Sequence, residues 1–515
     1  MRLSDLLSVL PRELAPTGRI GGDEISDPVI RGICYDSRQV SPGDLFVALK
    51  GAVSDGHAFV ERARELGAAA LLLERIPEGS DLRQCPAVVV PDSRRALAAL
   101  AMRFFGQPSR ELELVGITGT NGKTSTSYLA ESILRAAGIA TGLIGTVEIR
   151  YDEERIAAVN TTPESLDLQR TLRAMRTHRI QAVVMEVSSH GLELGRVAGC
   201  EFKVAAFTNL TQDHLDFHPD MDAYLTSKSR LFREHLASPA QAVVNLDDPA
   251  AGAIIAAARE SGAEILRCTR DPRAEAEIKL LEANVRMSGT RARAEIRGQA
   301  IDLEMPLLGD FNLENLLVAC GIASALAIDP QTIAAGVAAC PQVPGRMETV
   351  GEGREGDPTV IVDYAHTPDA VEKLLGALRP LCEGRLITVF GCGGDRDRSK
   401  RPLMAQSVAR HSDLALATSD NPRTEDPQSI LEDVEKGLGA LEACDPADLG
   451  QRSGCYAVLE DRRKAIEQAM AIARPGDTVV LAGKGHEDYQ IVGREKLPFD
   501  DRDEARKALA RRSSV

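Results

Sequence analysis

At 515 residues, with 43% hydrophobic and 27% charged residues, the chain is too long for one ordinary core and has the make-up of a globular protein of roughly two to four domains. Its net charge of -15 argues against a nucleic-acid coat or an anionic membrane surface. Aromatics at 3% without Trp argue against a base-stacking platform, and no apolar run approaches the ~20 residues of a membrane helix.

The chain starts without a signal-peptide pattern, and its 10 cysteines form no C-x-x-C pair. A reducing, cytoplasmic setting is therefore expected, and a structural zinc site is not. Repeated β/α alternation follows. Residues 36–51 read as a turn and a short strand, and short apolar runs occupy 68–74 and 87–91. The Gln107-Pro108-Ser109 break closes a first domain at residue 109.

Next comes Glu113-Leu-Val-Gly-Ile-Thr-Gly-Thr-Asn-Gly-Lys-Thr-Ser125. An apolar strand enters a turn over Gly119, Thr120, Asn121 and Gly122. Lys123, Thr124 and Ser125 follow, and the helical stretch 125–137 stops at Gly138. In this order the backbone N–H groups and the helix dipole point at phosphate oxygens. Lys123 can reach the terminal phosphates of a nucleoside triphosphate, and the Thr124 hydroxyl can hold Mg²⁺. The spacing is not a full phosphate loop, because Ile117 stands where the first glycine belongs and Gly116 sits one place early. The competing reading is a glycine-rich strand–helix turn with a surface lysine.

Buried-type strands at 182–187, 204–209 and 242–245 suggest a mostly parallel sheet, followed by a helix at 313–326 and a linker at 341–345. The alternation then restarts with strands at Thr359–Asp363, Leu386–Phe390, 414–418 and Thr478–Ala482. The expected fold class is α/β in three domains: a smaller N-terminal α/β domain (1–109), a central phosphate-loop ATPase domain with a mostly parallel sheet (110–342) and a C-terminal Rossmann-like domain (343–515).

Polar clusters sit where strands end, the place where open α/β sheets bind ligands, which favours a composite site between domains. Glu186, late in its strand, is either a second magnesium ligand or a carboxylate paired with a neighbouring Lys or Arg. In the loop 208–216, His214 and two aspartates crowd together, and a lone His is more often structural than a ligand. Lys228, in Tyr224-Leu-Thr-Ser-Lys-Ser-Arg-Leu-Phe232, reads as a solvated helix lysine. The run Gly391-Cys-Gly-Gly-Asp-Arg-Asp-Arg-Ser-Lys400 is a weak nucleotide-loop signal, and 419–424 and 482–489 are further strand-end loops.

Together these residues resemble the Mur ligase family of ATP-dependent amide-bond synthetases, from the Asp36 motif to Phe499-Asp-Asp-Arg502. The Thr118-Gly-Thr-Asn-Gly-Lys-Thr124 loop is family-wide, and Asp420-Asn-Pro-Arg423 marks the diaminopimelate-adding branch. The resemblance implies an ATP-dependent ligase of peptidoglycan precursor synthesis that works through an acyl phosphate. Its small-molecule partners would be ATP, a UDP-MurNAc-dipeptide and meso-diaminopimelate, with Mg²⁺ as cofactor. Neither nucleic acid nor membrane insertion is implied, and a monomer is expected.

By the same resemblance Tyr35, Ser37, the loop 54–57, Asn160, Thr161, Thr162, Ser188 and Arg196 meet the uridylated substrate. Leu194 does so where relatives often have Gln. Lys123, Lys228 and His214 are catalytic. Lys228 is carbamylated by CO2 and serves a metal site with Thr124, Glu186 and His214. Asn312, Arg346 and Asp363 hold the nucleotide, while His366 has no assigned role. Arg396, Asp420, Asn421, Pro422, Arg423, Gly483 and Glu487 bind the amino acid, Arg423 reading the distal carboxylate that lysine lacks. The rivals are a lysine-adding ligase, a folylpolyglutamate synthetase, a non-ligase phosphate-loop switch and an NAD-binding dehydrogenase built on 391–394.

Overall fold

The computed structural model describes residues 1–20, 27–51, 54–80, 82, 85–215, 217–351, 353–354 and 356–512. It divides into two compact units, one holding 1–280, 295–301 and 314–336 and the other 281–294, 302–313 and 337–515. Among the described residues no helix is long and apolar enough to cross a membrane.

The first unit begins with a five-stranded sheet in the order Gly18–Ile20, Ala87–Val89, Ala70–Leu73, Asp44–Val47, Gly32–Cys34. The first pair is antiparallel and the rest are parallel. Helix Ser93–Phe104 packs its Ala96, Leu97, Leu100 and Ala101 face into this core, an i, i+4 stripe capped by Asp92.

The unit continues with a second sheet in the order Glu264–Thr269, Leu236–Asn245, Phe202–Phe207, Glu113–Thr118, Ala182–Glu186, Thr141–Ile144. All of these pairs are parallel. Apart from Ala237 and Ile265, which are half-buried, their Val, Ile, Ala and Phe side chains are buried, as expected of strands covered on both faces. An antiparallel edge, Glu148–Tyr151 and Glu154–Ala157, was not foreseen from the sequence. Neither were the strands Ile278–Arg286, Gly289–Ile296 and Gln299–Met305. The middle of these three carries a period-two signal, with Ala292, Ala294 and Ile296 buried and Arg291 and Arg293 largely exposed.

The second unit is built on the order Glu348–Val350, Thr359–Asp363, Thr478–Ala482, Leu386–Phe390, Leu414–Ala417, Cys455–Val458, Glu442–Ala443. It is parallel except at its first pair. The four strands expected here are present, the third ending one residue early at Ala417. The other expected strands and helices are also present, shifted at their ends. The phosphate-loop helix starts two residues early, Lys123–Ala136, and the strand expected at 242–245 runs Leu236–Asn245.

Candidate active site

In the first unit the turn after Glu113–Thr118 is shaped by close approach. Gly119 has φ 154° and Gly122 φ 83°. A Cβ on Gly119 would lie 1.9 Å from Thr208 Oγ1, and one on Gly122 would lie 2.1 Å from Asn315 Oδ1. Only glycine fits both demands. Gly116 has a different task. It is in the strand, with the Phe202 ring 2.7 Å from where a Cβ would stand. The apparent misspacing of the motif is therefore a packing glycine beneath the loop.

The loop is fastened to the end of Phe202–Phe207. Asn209 O accepts from Thr120 N at 2.9 Å, Asn209 Oδ1 from Asn121 N at 2.9 Å, and Thr208 Oγ1 donates to Asn121 O at 2.7 Å. Lys123 Nζ donates to the Gly119 and Thr120 carbonyls, both at 2.8 Å. Ser125 is buried in the first turn of the helix.

Glu186 ends its strand fully buried. The sequence allowed a Lys or Arg partner. Instead its carboxylate accepts from Thr146 N at 2.8 Å, Thr146 Oγ1 at 2.9 Å and Thr124 Oγ1 at 3.1 Å. A buried carboxylate served by neutral donors, beside the hydroxyl that opens the phosphate-loop helix, fits a divalent cation.

Lys228 overturns its reading as a solvated lysine. Helix Met221–Glu234 turns Tyr224, Lys228 and Leu231 inward on one face. Lys228 Nζ donates to Gly119 O at 2.9 Å and stands 4.2 Å from the Tyr224 ring centroid. Burial, then the neighbouring Lys123 charge, hold its amine well below the ordinary lysine range, against a smaller pull from Asp213.

His214, at φ 55°, packs edge-on against His190 at 4.8 Å between ring centroids and lies 6.0 Å from the Tyr224 ring. Among the described residues no three His, Cys, Asp or Glu side chains gather as a metal cluster. Asp216, the second aspartate of this loop, lies outside the described residues.

A polar network in the same unit joins the residues expected to meet the uridylated substrate. Thr162 Oγ1 donates to Glu186 O at 3.0 Å and accepts from Ser188 N at 2.9 Å. Arg196 Nη1 donates to Thr162 O at 3.0 Å, and burial lowers its guanidinium against the opposing charge of Glu164. Its Nε is buried without a hydrogen-bond partner. Glu164 is paired with Arg94.

Tyr35 Oη donates to Asp167 Oδ2 at 2.5 Å, and burial followed by that carboxylate raises its phenol. Thr161 and Thr146 share a hydroxyl contact of 3.0 Å. Ser37 is buried, Leu194 is half-buried and Asn160 is exposed. In the loop 54–57, Asp55 Oδ1 is 2.6 Å from His57 Nδ1.

In the second unit the loop 420–423 follows Leu414–Ala417. Arg423 adopts φ 52°, and its Nη1 donates to Gly394 O at 2.8 Å. The run 391–394, read as a weak nucleotide signal, makes room for this loop. A Cβ on Gly394 would lie 1.9 Å from Pro422 O, and one on Gly393 would lie 2.9 Å from Arg423 Nη1. A hairpin missed from the sequence, Tyr489–Val492 with Glu495–Pro498, clamps the other side. Ile491 N donates to Asn421 Oδ1 at 2.9 Å, and Gln490 Nε2 donates to Asp420 O at 2.6 Å.

Asn421 Nδ2 donates to Glu487 Oε2 at 3.0 Å, and Gly483 lies beside Asp420. Arg396 is exposed, its Nη1 on Asp395 O. Asp363 accepts from Met347 N at 2.7 Å and Ala365 N at 2.8 Å, with burial raising its carboxyl against the Arg346 charge. Arg346 lies over the Tyr364 ring at 4.8 Å, and His366 Nδ1 is 2.7 Å from Tyr364 O. Asn312 Nδ2 donates to Leu308 O.

A strand–glycine turn–helix cradle on one parallel sheet and an arginine loop at the strand ends of another define a nucleotide-using synthetase. The chain belongs to the Mur ligase family. The Mur ligase middle-domain model matches 117–323, the glutamate ligase domain model 345–485 and the catalytic-domain model 29–105. As a member it is an ATP-dependent, amide-forming ligase.

Relatives named UDP-N-acetylmuramoyl-L-alanyl-D-glutamate--2,6-diaminopimelate ligase include one from Geobacter metallireducens, 43% identical over 100% of this chain and 99% of its own. Another, from Gloeobacter violaceus, is 46% identical over 100% and 99%. A solved structure of that name is 33% identical, with a TM-score of 0.66 over 94% of this chain and 96% of its own.

Proposed function

We propose that this ligase joins meso-diaminopimelate to UDP-N-acetylmuramoyl-L-alanyl-D-glutamate using ATP, as a cytoplasmic monomer in peptidoglycan precursor synthesis, with domains at 1–109, 110–342 and 343–515. The observation that carries the reading is the arginine loop. Arg423 is fixed by Gly394 O beside Asn421 and Glu487, so a guanidinium and a carboxylate stand ready for a zwitterionic amino-acid head.

The loop 119–124 cradles the triphosphate, and Lys123 moves from the carbonyls of Gly119 and Thr120 to the γ-phosphate oxygens. Asn312, Arg346 and Asp363 hold the nucleotide. Thr124 and Glu186 would hold Mg²⁺, which supplies charge neutralisation of the phosphates. Lys228, a buried amine whose charged form is disfavoured by burial and by Lys123, adds CO2 and releases a proton. The resulting carbamate would supply a carboxylate, and His214 an imidazole, to that metal site.

Thr162, Ser188 and Arg196, with Tyr35, Ser37, Asn160, Thr161 and Leu194, orient the uridylated dipeptide. Its D-glutamyl side-chain carboxylate attacks the γ-phosphorus, giving ADP and an acyl phosphate. Arg396, Arg423, Asp420, Asn421, Pro422, Gly483 and Glu487 present the amino acid. Its amine attacks the acyl carbon, the C–N bond forms, the C–O bond to phosphate breaks and the amine proton departs.

The test is phosphate release from ATP with the UDP-muramoyl dipeptide and each amino acid in turn. Release far faster with diaminopimelate than with any other amino acid supports the reading. Preference for lysine or glutamate assigns a different member of the family, and release independent of any amino acid overturns it.

A further inference from the structure

Lys484 was not singled out in the sequence, where it sits in Ala482-Gly-Lys-Gly-His-Glu487. It is fully buried, and its ammonium meets three side-chain oxygens: Asp420 Oδ1 at 3.2 Å, Asn421 Oδ1 at 3.2 Å and Glu487 Oε2 at 3.3 Å. That uses all three N–H donors of a lysine. The oxygens belong to two different strand-end loops, and Asn421 Nδ2 closes the ring on the same Glu487 oxygen at 3.0 Å.

The ion pairs that Lys484 itself makes do not cancel. Arg462 and Asp501, both fully buried, pair through contacts of 2.8 and 2.7 Å and are neutral together. Lys484 is then left facing two carboxylates, Asp420 and Glu487, so within its direct contacts the carboxylates exceed the ammonium by one. Of the two side chains Glu487 is the more open, at 16% exposure against 9%. A buried ion cluster kept only for stability would tend to balance its charges. An excess carboxylate at the open side suits an incoming cation.

We propose that Lys484 is a positioning residue for the ammonium on the distal carbon of the amino-acid substrate. It fixes Asn421 and Glu487 so that the Glu487 carboxylate accepts that ammonium, while Arg423 on the adjoining loop takes the distal carboxylate. This rests on the reading of the loop 420–423 as the amino-acid site.

The experiment measures amino-acid-dependent phosphate release by the full chain for wild type and Lys484→Met. The amino acids are diaminopimelate, lysine, which keeps the distal ammonium, and 2-aminopimelate, which keeps the distal carboxylate and lacks the ammonium. Loss of an ordered charge-assisted contact predicts a KM increase of about tenfold or more for both diaminopimelate and lysine. The KM for ATP and the kcat at saturation should change less than about threefold, and 2-aminopimelate should lose nothing further.

Glu487→Gln combined with Lys484→Met should be no worse than the worse single variant, because both remove one interaction. Should the methionine variant not fold, Lys484→Gln, which keeps a donor and drops the charge, is read in the same way. Equal losses for all three amino acids, additive effects with Glu487→Gln, or an unchanged KM would each overturn the proposal. Wild type without any amino-acid-dependent release would overturn the functional reading instead.

Discussion

Lys123 and Lys228 donate to one and the same oxygen, the carbonyl of Gly119, at 2.8 and 2.9 Å. A carbonyl has two lone pairs and can accept both. Two ammonium groups this close, one of them fully buried, cannot both keep their charge cheaply, and it is Lys228 whose protonation is suppressed. The loop thus holds two lysines of different character. Lys123 lies at the start of the helix that follows the glycine turn, and Lys228 is a fully buried amine whose charged form is disfavoured.

Lys123→Ala should abolish ATP turnover in a protein that remains folded. The ammonium is the cradle's side-chain cation, and removing a group that stabilises the transferring phosphoryl typically costs about 2–4 kcal/mol of barrier. Phosphate release and thermal unfolding measured side by side check it. Near-normal turnover would remove the phosphate-loop assignment.

Lys228 should carry a labile carboxyl group. A neutral, buried amine is the form that adds CO2. ¹³C-bicarbonate should give a carbamate carbon signal in the folded enzyme that is absent from Lys228→Ala, and the variant should lose most activity. A spectrum without that signal, together with full activity in the variant, would exclude the modification.

The fold was legible because buried parallel strands write themselves as short apolar runs, and the site because its polar residues follow those runs. Glu186, Thr208, Gly391, Asp420 and Gly483 all stand at or just beyond strand ends. What escaped was long-range. Nothing local says that 391–394 are glycines to admit Pro422 and Arg423, or that the hairpin at 489–498 clamps Asn421. Lys228 was partly readable, since Tyr224, Lys228 and Leu231 share a helical face. Its polarity drew the solvent reading that burial overturned.

Stability should fall in mild acid through His235. This residue ends helix Met221–Glu234. Its Nε2 is buried without a hydrogen-bond partner, and burial pushes the imidazole down to about 4. The unfolded chain takes up the proton near pH 6.5, whereas the folded state refuses it until about pH 4. The unfolded state therefore binds more protons in that window. Stability is full above the window and is lost as pH falls through it. Part of the residue reaches solvent, so the loss is about 2 kcal/mol, below what the full shift implies. Urea unfolding of His235→Met at pH 7 and pH 4.5 should show a smaller drop than wild type. Equal drops would show that His235 does not set the acid limb.

Gly394→Ala should damage amino-acid binding and spare the nucleotide. Its Cβ would stand 1.9 Å from Pro422 O, a backbone atom that can yield only by moving the arginine loop. The KM for diaminopimelate should rise by about tenfold or more while the KM for ATP holds. A variant with wild-type KM for the amino acid would mean that the loop tolerates displacement.

Arg423 should set the choice of amino acid. Diaminopimelate differs from lysine by one distal carboxylate, and a fixed guanidinium reads such a group by a bidentate pair. Arg423 is fixed at both levels. Its backbone is held by Ile491 O at 3.1 Å and Gly493 N at 2.7 Å, and its Nη1 by Gly394 O at 2.8 Å. With lysine bound, the guanidinium would be desolvated and short of its partner, a penalty that separates the two substrates by roughly 10⁴-fold at sites built around a hydrogen-bonding group. Arg423→Ala should lose most diaminopimelate addition while ATP and the uridylated substrate still bind. Lysine should gain relative to diaminopimelate because the penalty is gone, although its absolute rate stays low in a pocket not shaped for it. The check is the ratio of kcat/KM for the two amino acids in wild type and variant. An unchanged ratio would show that Arg423 does not read the distal carboxylate, and would return that task to Arg396 at the edge of the same loop cluster.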